Sequence, residues 1–493
     1  MAFRRISSLP ASKQAVRSIH SRVLRPDASS SSASAVSSVD IPGKQQDPNT
    51  KVLVPSCTVV ENGRGLFASK SSAKLLKSFL TLEMAASEPF VDLGTWIYSS
   101  RLMKSPLFRQ MVFGVTKVTF FDHFVAGTNN QEAGETVKML WNEGIKGMLD
   151  YGLEHAFDNA SCDKNMEAFI ETIESTKSLP PSSVSSVVAK VTAICPIDLL
   201  RRMSDLLRWE YKERSYNLPW KMNTLPLLSE SSPLYHTLQK PEPLSLQEER
   251  DLELAYNRLQ KIIQKCHEAN VPLVIDAEET WIQPAIDYFT YSASIMHTTA
   301  DSPLIYGTIQ AYLKDAHERL VLAKKAADKM RLPMGVKLVR GAYMSAESQV
   351  AASLGYESPI HNSIRHTHRC YNDCASFMLD ELAKGPGSLV LATHNCESGK
   401  LAATKAIDSG MGKDAQKLQF AQLYGMSEIM SYELKKEGFQ VSKYLPFGPV
   451  EQIMPYLVRR AEENKGVLST SSLDRELMKQ ELQRRLRAAF LRR

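Results

Sequence analysis

The residues able to do chemistry in this chain sit at the ends of short apolar runs. In GVKLVRGAY, residues 335–343, Lys337 and Arg340 interrupt a stretch that otherwise reads as a buried strand. Period-2 alternation sends the two cations to opposite sides, so one points into a sheet or barrel interior unless the strand ends first. An unpaired cation there costs several kcal/mol, so it requires an anion, a polar network or a ligand. Gly341 marks the end of the run and a place where something can approach the backbone closely.

The pattern recurs along the sequence. Lys190 interrupts VVAKV, Asp276 follows VPLVI, Gln310 follows LIYGTI, His394 follows LVLAT and Gln422 lies in QFAQLYG. A single residue of this kind is ordinarily a hydrogen-bonded core group. Successive strands that each end on one point to a shared site, against the plainer alternative of a polar layer that only satisfies itself. After the last run, PVEQIMPYLVRRAEEN has a helical period. At 100° per residue, Tyr456, Arg459, Arg460 and Glu463 fall at roughly 0°, 300°, 40° and 340°. Two adjacent guanidinium forks on one narrow face suit a small anion, particularly a carboxylate. The same spacing also describes a solvated Arg–Glu pair.

The elements that must position these groups are legible from residue 144 onward. Eight apolar stretches follow one another: GIKGMLDYGLE, SSVVAKVTAIC, NVPLVIDAEE, SPLIYGTIQAY, MGVKLVRGAY, SLVLATHNC, LQFAQLYGM and VSKYLPFGP. Helical patterns such as AYLKDAHERLVLAKKAADKM lie between most of them. Eight βα units predict an α/β fold, a closed (β/α)8 barrel over residues 141–466, with an open doubly wound sheet as the alternative.

Residues 61–140 read as a helical region. Its Phe-rich run PLFRQMVFGVTKVTFFDHFVAG is either a core helix or a surface that meets membrane, and core is favoured because Lys117, Asp122 and His123 interrupt it. Between the second and third strands, a segment of about 208–245 lacks clean periodicity and reads as an insertion, either a lid or an interaction surface. Residues 467–493 end the chain in a basic amphipathic helix, with Leu473, Leu477, Leu482, Leu486 and Phe490 on one stripe and five arginines in 484–493. Such a helix lies on an anionic membrane, packs on its own barrel or binds a partner.

Composition narrows the classes. The net charge of +6 comes from residues 1–26, where six Arg or Lys meet no acid, and the remainder is formally neutral. Overall charge therefore gives nucleic-acid binding no support. The Arg- and Ser-rich leader resembles a transit peptide, mitochondrial in preference to plastid on arginine content, and 27–60 reads as a disordered linker. Seven scattered cysteines fit reduced thiols. His366, Cys370 and Cys374 can be drawn as a metal-binding helix face but read as an ordinary one, so no metal is expected. GxGxxG, Walker, HExxH and GxSxG signatures are absent. A nucleotide cofactor must then be held by barrel loops.

Taken together, LVRGAY, ATHN and YLVRRxxEN, in this order and with VPLVIDAEET and QFAQLYGMSE, resemble the proline dehydrogenase (proline oxidase) family across roughly residues 75–466. With the basic leader and long insertion, the resemblance is strongest to its plant mitochondrial members. It implies a distorted (β/α)8 barrel that binds FAD without a Rossmann fingerprint and oxidises L-proline to Δ1-pyrroline-5-carboxylate, by hydride transfer from C5 to flavin N5. By resemblance Arg459 and Arg460 clamp the substrate carboxylate, Glu154 pairs with Arg460 as a gate, Lys190 and Asp276 line the substrate side, and Tyr444 and Tyr456 shape the pocket against the ring. The resemblance also puts Gln310, Lys337, His394 and Asn395 around the flavin, Gly341 and Tyr343 on the cofactor-facing segment, and Glu463 near the clamp. Bacterial members commonly carry arginine where this chain has Lys337 and lysine where it has Arg340, so the hydrogen bonds at 337 differ. A quinone acceptor and peripheral association with the matrix face of the inner mitochondrial membrane complete what the family implies.

Two other classes fit parts of the pattern. A barrel lyase or aldolase uses Lys190 or Lys337 as a Schiff-base nucleophile. A noncatalytic binding protein uses the insertion and the terminal helix.

Overall fold

Eight parallel strands pair in sequence order and close on themselves: β1 (Lys146–Tyr151), β2 (Val184–Ala189), β3 (Leu273–Ile275), β4 (Ile305–Gln310), β5 (Gly335–Val339), β6 (Ser388–Ala392), β7 (Leu418–Leu423) and β8 (Gln440–Phe447), with β8 against β1. The structure is a computed structural model and describes residues 66–67, 70–298, 302–411, 415–464 and 470–490. The expected leader and linker lie outside the described residues. The barrel is irregular where β1 shifts register against β2 between Gly147 and Met148, and where β3 shortens to three residues.

Closure follows from alternation. Met148, Val188, Val274, Val390 and Ala421 form the buried interior cluster, with Tyr306, Ala392 and Tyr444 against it. Their neighbours Leu149, Val187, Leu273, Leu389 and Phe420 join the larger outer core under the helices. Every strand except β5 thus gives the interior cluster an apolar or aromatic side chain. In β5, Lys337 stands between Val336 and Leu338, which belong to the outer core, so its side chain faces inward.

Besides the short helices Asp122–Phe124 and Val191–Ile194 and the helix Met344–Ser353 after β5, the helices are α1 (Ser72–Ala86), α2 (Glu88–Ser99), α3 (Pro106–Thr116) and α4 (Asn130–Asn142) before the barrel; α5 (Asn159–Thr176), α6 (Ile197–Lys212), α7 (Leu246–Ala269), α8 (Gln283–His297), α9 (Ala316–Lys329), α10 (Ile364–Lys384), α11 (Cys396–Asp408) and α12 (Glu428–Lys436) around it; then α13 (Val450–Asn464) and α14 (Thr470–Phe490). The first residues of the segment expected as an insertion, about 208–245, belong to α6, which continues to Lys212. Residues 213–245 form neither helix nor strand, and Leu218, Leu225, Leu227, Leu228 and Leu244 anchor them in the outer core. Ser232 Oγ donates to Asp315 at 2.6 Å, and His236 Nε2 lies 2.9 Å from Thr280 Oγ1.

A second core joins the N-terminal helices to α13 and α14 through Leu75, Leu82, Phe121, Phe124, Ile453, Leu457 and Met478. Here the Phe-rich run divides. Phe121 and Phe124 are buried, but Leu107, Met111, Val115 and Val118 are exposed, so the expectation of a core helix fails for α3. The reason is geometric: α3 packs chiefly on the 3-10 turn before it and the π turn after it, Lys117–Phe121. The body of α14 lies along α1, where Arg485 donates to the carbonyls of Phe67 and Lys70 at 2.8 Å. Only its tip leaves Leu486 and Phe490 exposed. Among the described residues no helix is long and apolar enough to cross a membrane.

Candidate active site at the carboxyl ends of the strands

The centre of the barrel mouth is an ionic network on Asp276, the residue after β3. Its carboxylate accepts from Lys337 Nζ and from Tyr444 OH (2.8 Å), and Lys190 Nζ stands 3.8 Å away. Lys190 also lies 3.7 Å from Asp150. The inward position of Lys337 is therefore satisfied by anion and aromatic together, for its ammonium sits 5.2 Å above the Tyr444 ring. Burial would raise the Asp276 pKa, but Lys337 and Lys190 outweigh it and hold the carboxyl below its ordinary value. Burial would likewise lower Lys190, yet Asp150 and Asp276 keep its ammonium above the usual lysine range. Asp150 is pushed upward by burial. That residue escaped the sequence reading although the signal was present: in GMLDYG it stands two residues after inward Met148, as Asp276 stands two after inward Val274.

A second layer comes from α13 and the loop after β1. Glu154 takes both arms of Arg459, whose guanidinium lies 5.5 Å from the Tyr343 ring centre. Arg460 bonds Glu463 and stacks 5.1 Å over Tyr456. This corrects the expected Glu154–Arg460 gate. Both oxygens of the Glu154 carboxylate are taken by Arg459 Nη1 and Nη2, which leaves none for the second arginine. Glu463, three residues on, takes the other. Tyr456 OH and Arg460 Nε are buried and have no hydrogen-bond partner among the described residues. Burial raises the Glu463 pKa, and Glu154 falls to about 2 because Arg459 and Lys190 outweigh its burial.

Arg340 centres a third group, on the far side of the end of β5. It donates to His368 Nδ1 (3.0 Å), Thr393 Oγ1 (2.7 Å) and Ser398 Oγ (2.8 Å), and stacks 4.3 Å over Tyr371. Asn395 caps α11 through the Ser398 N–H at 2.9 Å, and its amide lies 3.4 Å from His368 Nε2. The cation and hydroxyls thus gather at a helix N-terminus, a setting suited to phosphate oxygens. His368 and Ser398 were not legible beforehand, and Thr393 was passed over although it lies inside the ATHN motif. At Gly341, φ is +136° and a Cβ would lie 2.4 Å from the Tyr312 ring, so only glycine fits.

The remaining expected residues separate. Gln310 is buried and donates to the Glu278 carbonyl at 2.8 Å. His394 accepts from the Leu423 N–H at 3.0 Å, and burial, followed by Lys443 and Arg460, lowers it to about 3. Gln422 does not join the mouth. It alternates with inward Ala421 and so faces outward, where it accepts from Ser431 of α12 at 2.7 Å. Cys370 and Cys374 meet side chain to side chain, but His366 does not complete a three-ligand group with them. Among the described residues the only group of three metal-ligating side chains whose ligand atoms lie within 4.8 Å of one another is His155, Glu278 and Glu279.

A closed parallel barrel with converging ionisable groups at the carboxyl ends of its strands is the layout of a (β/α)8 barrel enzyme. Comparison makes the class specific. The family profile described as proline dehydrogenase matches residues 133–473, and the chain belongs to that family. It is 56% identical over 428 residues to "Proline dehydrogenase 1, mitochondrial" of Arabidopsis thaliana, covering 86% of each chain. To "Hydroxyproline dehydrogenase" of Bos taurus it is 30% identical, covering 87% of this chain and 94% of that one. Among solved structures, proline utilization A from Bdellovibrio bacteriovorus superposes with a TM-score of 0.58 at 18% identity. That match covers 83% of this chain and 38% of the other, and it supports the fold alone.

Proposed function

We propose that this protein oxidises L-proline to Δ1-pyrroline-5-carboxylate with FAD as cofactor, at the matrix face of the inner mitochondrial membrane, and passes the electrons to a quinone. The observation that carries this reading is the Arg459–Arg460 pair with its orphaned Tyr456 OH and Arg460 Nε, beside the Asp276 network. Buried polar atoms without partners suit a ligand that completes them, and two guanidinium forks suit a carboxylate. The mitochondrial naming of close plant relatives supports the location.

The residues present fit a flavin dinucleotide. Arg340 with Thr393, Ser398 and the capped start of α11 would hold its phosphates, while Lys337, Gln310 and His394, with Gly341 and Tyr343, would surround its ring system. When bound, FAD supplies the two-electron acceptor that takes hydride from C5 at N5. Arg459 and Arg460 fix the far end of proline, so carboxylate binding is converted into orientation of C5. Tyr444 and Tyr456 give the pyrrolidine ring its apolar walls. The substrate amine must lose its proton before its lone pair can assist; Asp276, held ionised by Lys337 and Lys190, can accept a hydrogen bond from that amine, whereas the charged Lys190 cannot. Lys190 is kept charged by two aspartates, which disfavours a Schiff-base lyase, because that chemistry needs a neutral amine.

The test is anaerobic addition of proline to the purified, flavin-loaded protein. Bleaching of the flavin absorption is expected. Absence of bleaching overturns the activity, and faster bleaching by hydroxyproline than by proline reassigns the substrate.

A further inference from the structure

The N-terminal helices present an apolar surface that the reaction does not use. On α3 and the π turn, Leu107, Met111, Val115 and Val118 are all exposed, Leu107 by 81%. At helical spacing they fall within an arc of about 80° and make one stripe. Leu102, in the turn before α3, and Trp96, on α2, are exposed as well. A run of apolar side chains left in water on an element that packs mainly on its sequence neighbours is a contact surface in waiting.

Charge selects the partner. From Leu93 to Phe121 the chain carries Arg101, Lys104, Arg109 and Lys117 and no Asp or Glu. All four cations are exposed. Apolar side chains, a tryptophan and four exposed cations in one short segment outnumber the acids beside them, Glu88 and Asp92 at the start of α2 and Glu132 near Lys117, and match the boundary between acyl chains and anionic headgroups. A protein partner would have to supply both a greasy groove and four counter-charges. The surface of an anionic bilayer supplies both without any specific fold.

We propose that the segment from α2 through α3 to the π turn is the membrane-docking element of this protein, seating Leu107, Met111 and Val115 among the headgroups of anionic phospholipid. The proposal rests on the reading above for its choice of membrane and deepens it by assigning the surface. It also shifts attachment away from the terminal helix, whose body is spent on α1. Because α13 packs on α2 and on the π turn, docking sets the arginine-bearing helix directly behind the membrane contact. An electron acceptor dissolved in the bilayer is thereby brought close to the barrel mouth.

The experiment measures co-sedimentation of the flavin-loaded full chain with phosphatidylcholine vesicles, with and without phosphatidylglycerol. One variant combines Leu107→Ser, Met111→Ser and Val115→Ser, and a second combines Arg101→Gln, Lys104→Gln and Arg109→Gln. A comparator carries Leu486→Ser and Phe490→Ser. The apolar variant is expected to lose at least about tenfold in partitioning. The charge variant should fall to the level seen on phosphatidylcholine alone, and the comparator should bind as the parent does. Thermal unfolding and proline oxidation with a soluble dye should be unchanged in all three, since these side chains lie in solvent.

Wild-type partitioning by the apolar variant overturns the proposal. So does parent protein that binds both vesicle types equally or neither, or an apolar variant whose only change is from dimer to monomer, which would assign the stripe to a second copy. Vesicle binding is read without turnover, so its failure is distinct from a failure of proline to bleach the flavin.

Discussion

Glu154 holds both arms of Arg459, Nη1 at 3.1 Å and Nη2 at 3.2 Å, across 305 residues of sequence. The pair ties the loop after β1 to α13 and so closes one side of the proposed substrate pocket. Glu154→Gln keeps the shape and removes the charge. We expect KM for proline to rise roughly tenfold with kcat little changed, because substrate closure is weakened while the chemistry is left alone. Steady-state kinetics on flavin-loaded enzyme decide this, and an unchanged KM removes Glu154 from any gating role. The pair also predicts acid lability. The unfolded carboxyl takes up its proton near its ordinary 4.5 and the folded one near 2, so the stabilisation is present above 4.5 and lost as pH falls toward 2. The variant should flatten that limb of the stability profile.

Of the two arginines on α13, Arg460 is the one with an orphaned buried nitrogen, and its loss should fall on substrate capture. Arg460→Met is expected to lower kcat/KM for proline by about a hundredfold, with flavin content intact and part of the loss recovered in Arg460→Lys. Equal flavin loss in both variants would show that the residue serves folding or cofactor retention instead.

Lys337 is the inward cation of β5 and shares Asp276 with Lys190. Lys337→Met removes a positive charge proposed to lie beside the flavin ring, so the midpoint potential should move down and reduction by proline should slow. Redox titration and stopped-flow absorbance measure the two effects, and identical values in parent and variant would place Lys337 away from the ring.

Arg340 and Lys337 should separate by phenotype. In Arg340→Met the hydroxyls of Thr393 and Ser398 remain but the cation is gone, so flavin affinity should drop at least about tenfold. The flavin-to-protein ratio after gel filtration gives the answer, and full retention would move the phosphates elsewhere.

Glu278 carries the opposite pH signature to Glu154. Burial, with Glu279 and Glu154 nearby, lifts its carboxyl from 4.5 to about 8. The folded protein keeps that proton over a range in which the unfolded chain has lost it, so stability falls as pH rises from 4.5 to 8. Glu278→Gln retains a neutral side chain and should gain roughly 1–3 kcal/mol at pH 8 while gaining little at pH 4.5. Denaturant melts at the two pH values test it, and equal shifts at both would mean that the carboxyl titrates normally.

Strand identity and order were legible because most strands are short apolar runs closed by a polar residue, and alternation settled that Lys337 points inward once β5 was seen to end at Val339. Local sequence determined the polar face of α13 in the same way, since Tyr456, Arg460 and Glu463 are neighbours by helical spacing. Contacts between distant segments required the closed barrel. Asp150 meets Lys190, and Asp276 meets Lys337 and Tyr444, only because eight strand ends converge on one mouth. The partner of Glu154 could not be read from spacing, as either arginine was within a helical turn of the right place and only the course of the loop after β1 chose Arg459. Gln422 shows the converse limit: its strand was evident, but the inward phase of β7 was set by Ala421 in the barrel interior. For the Phe-rich run, composition could not say which side would be covered. That depended on where α13 and α14 packed, and they left α3 to the solvent.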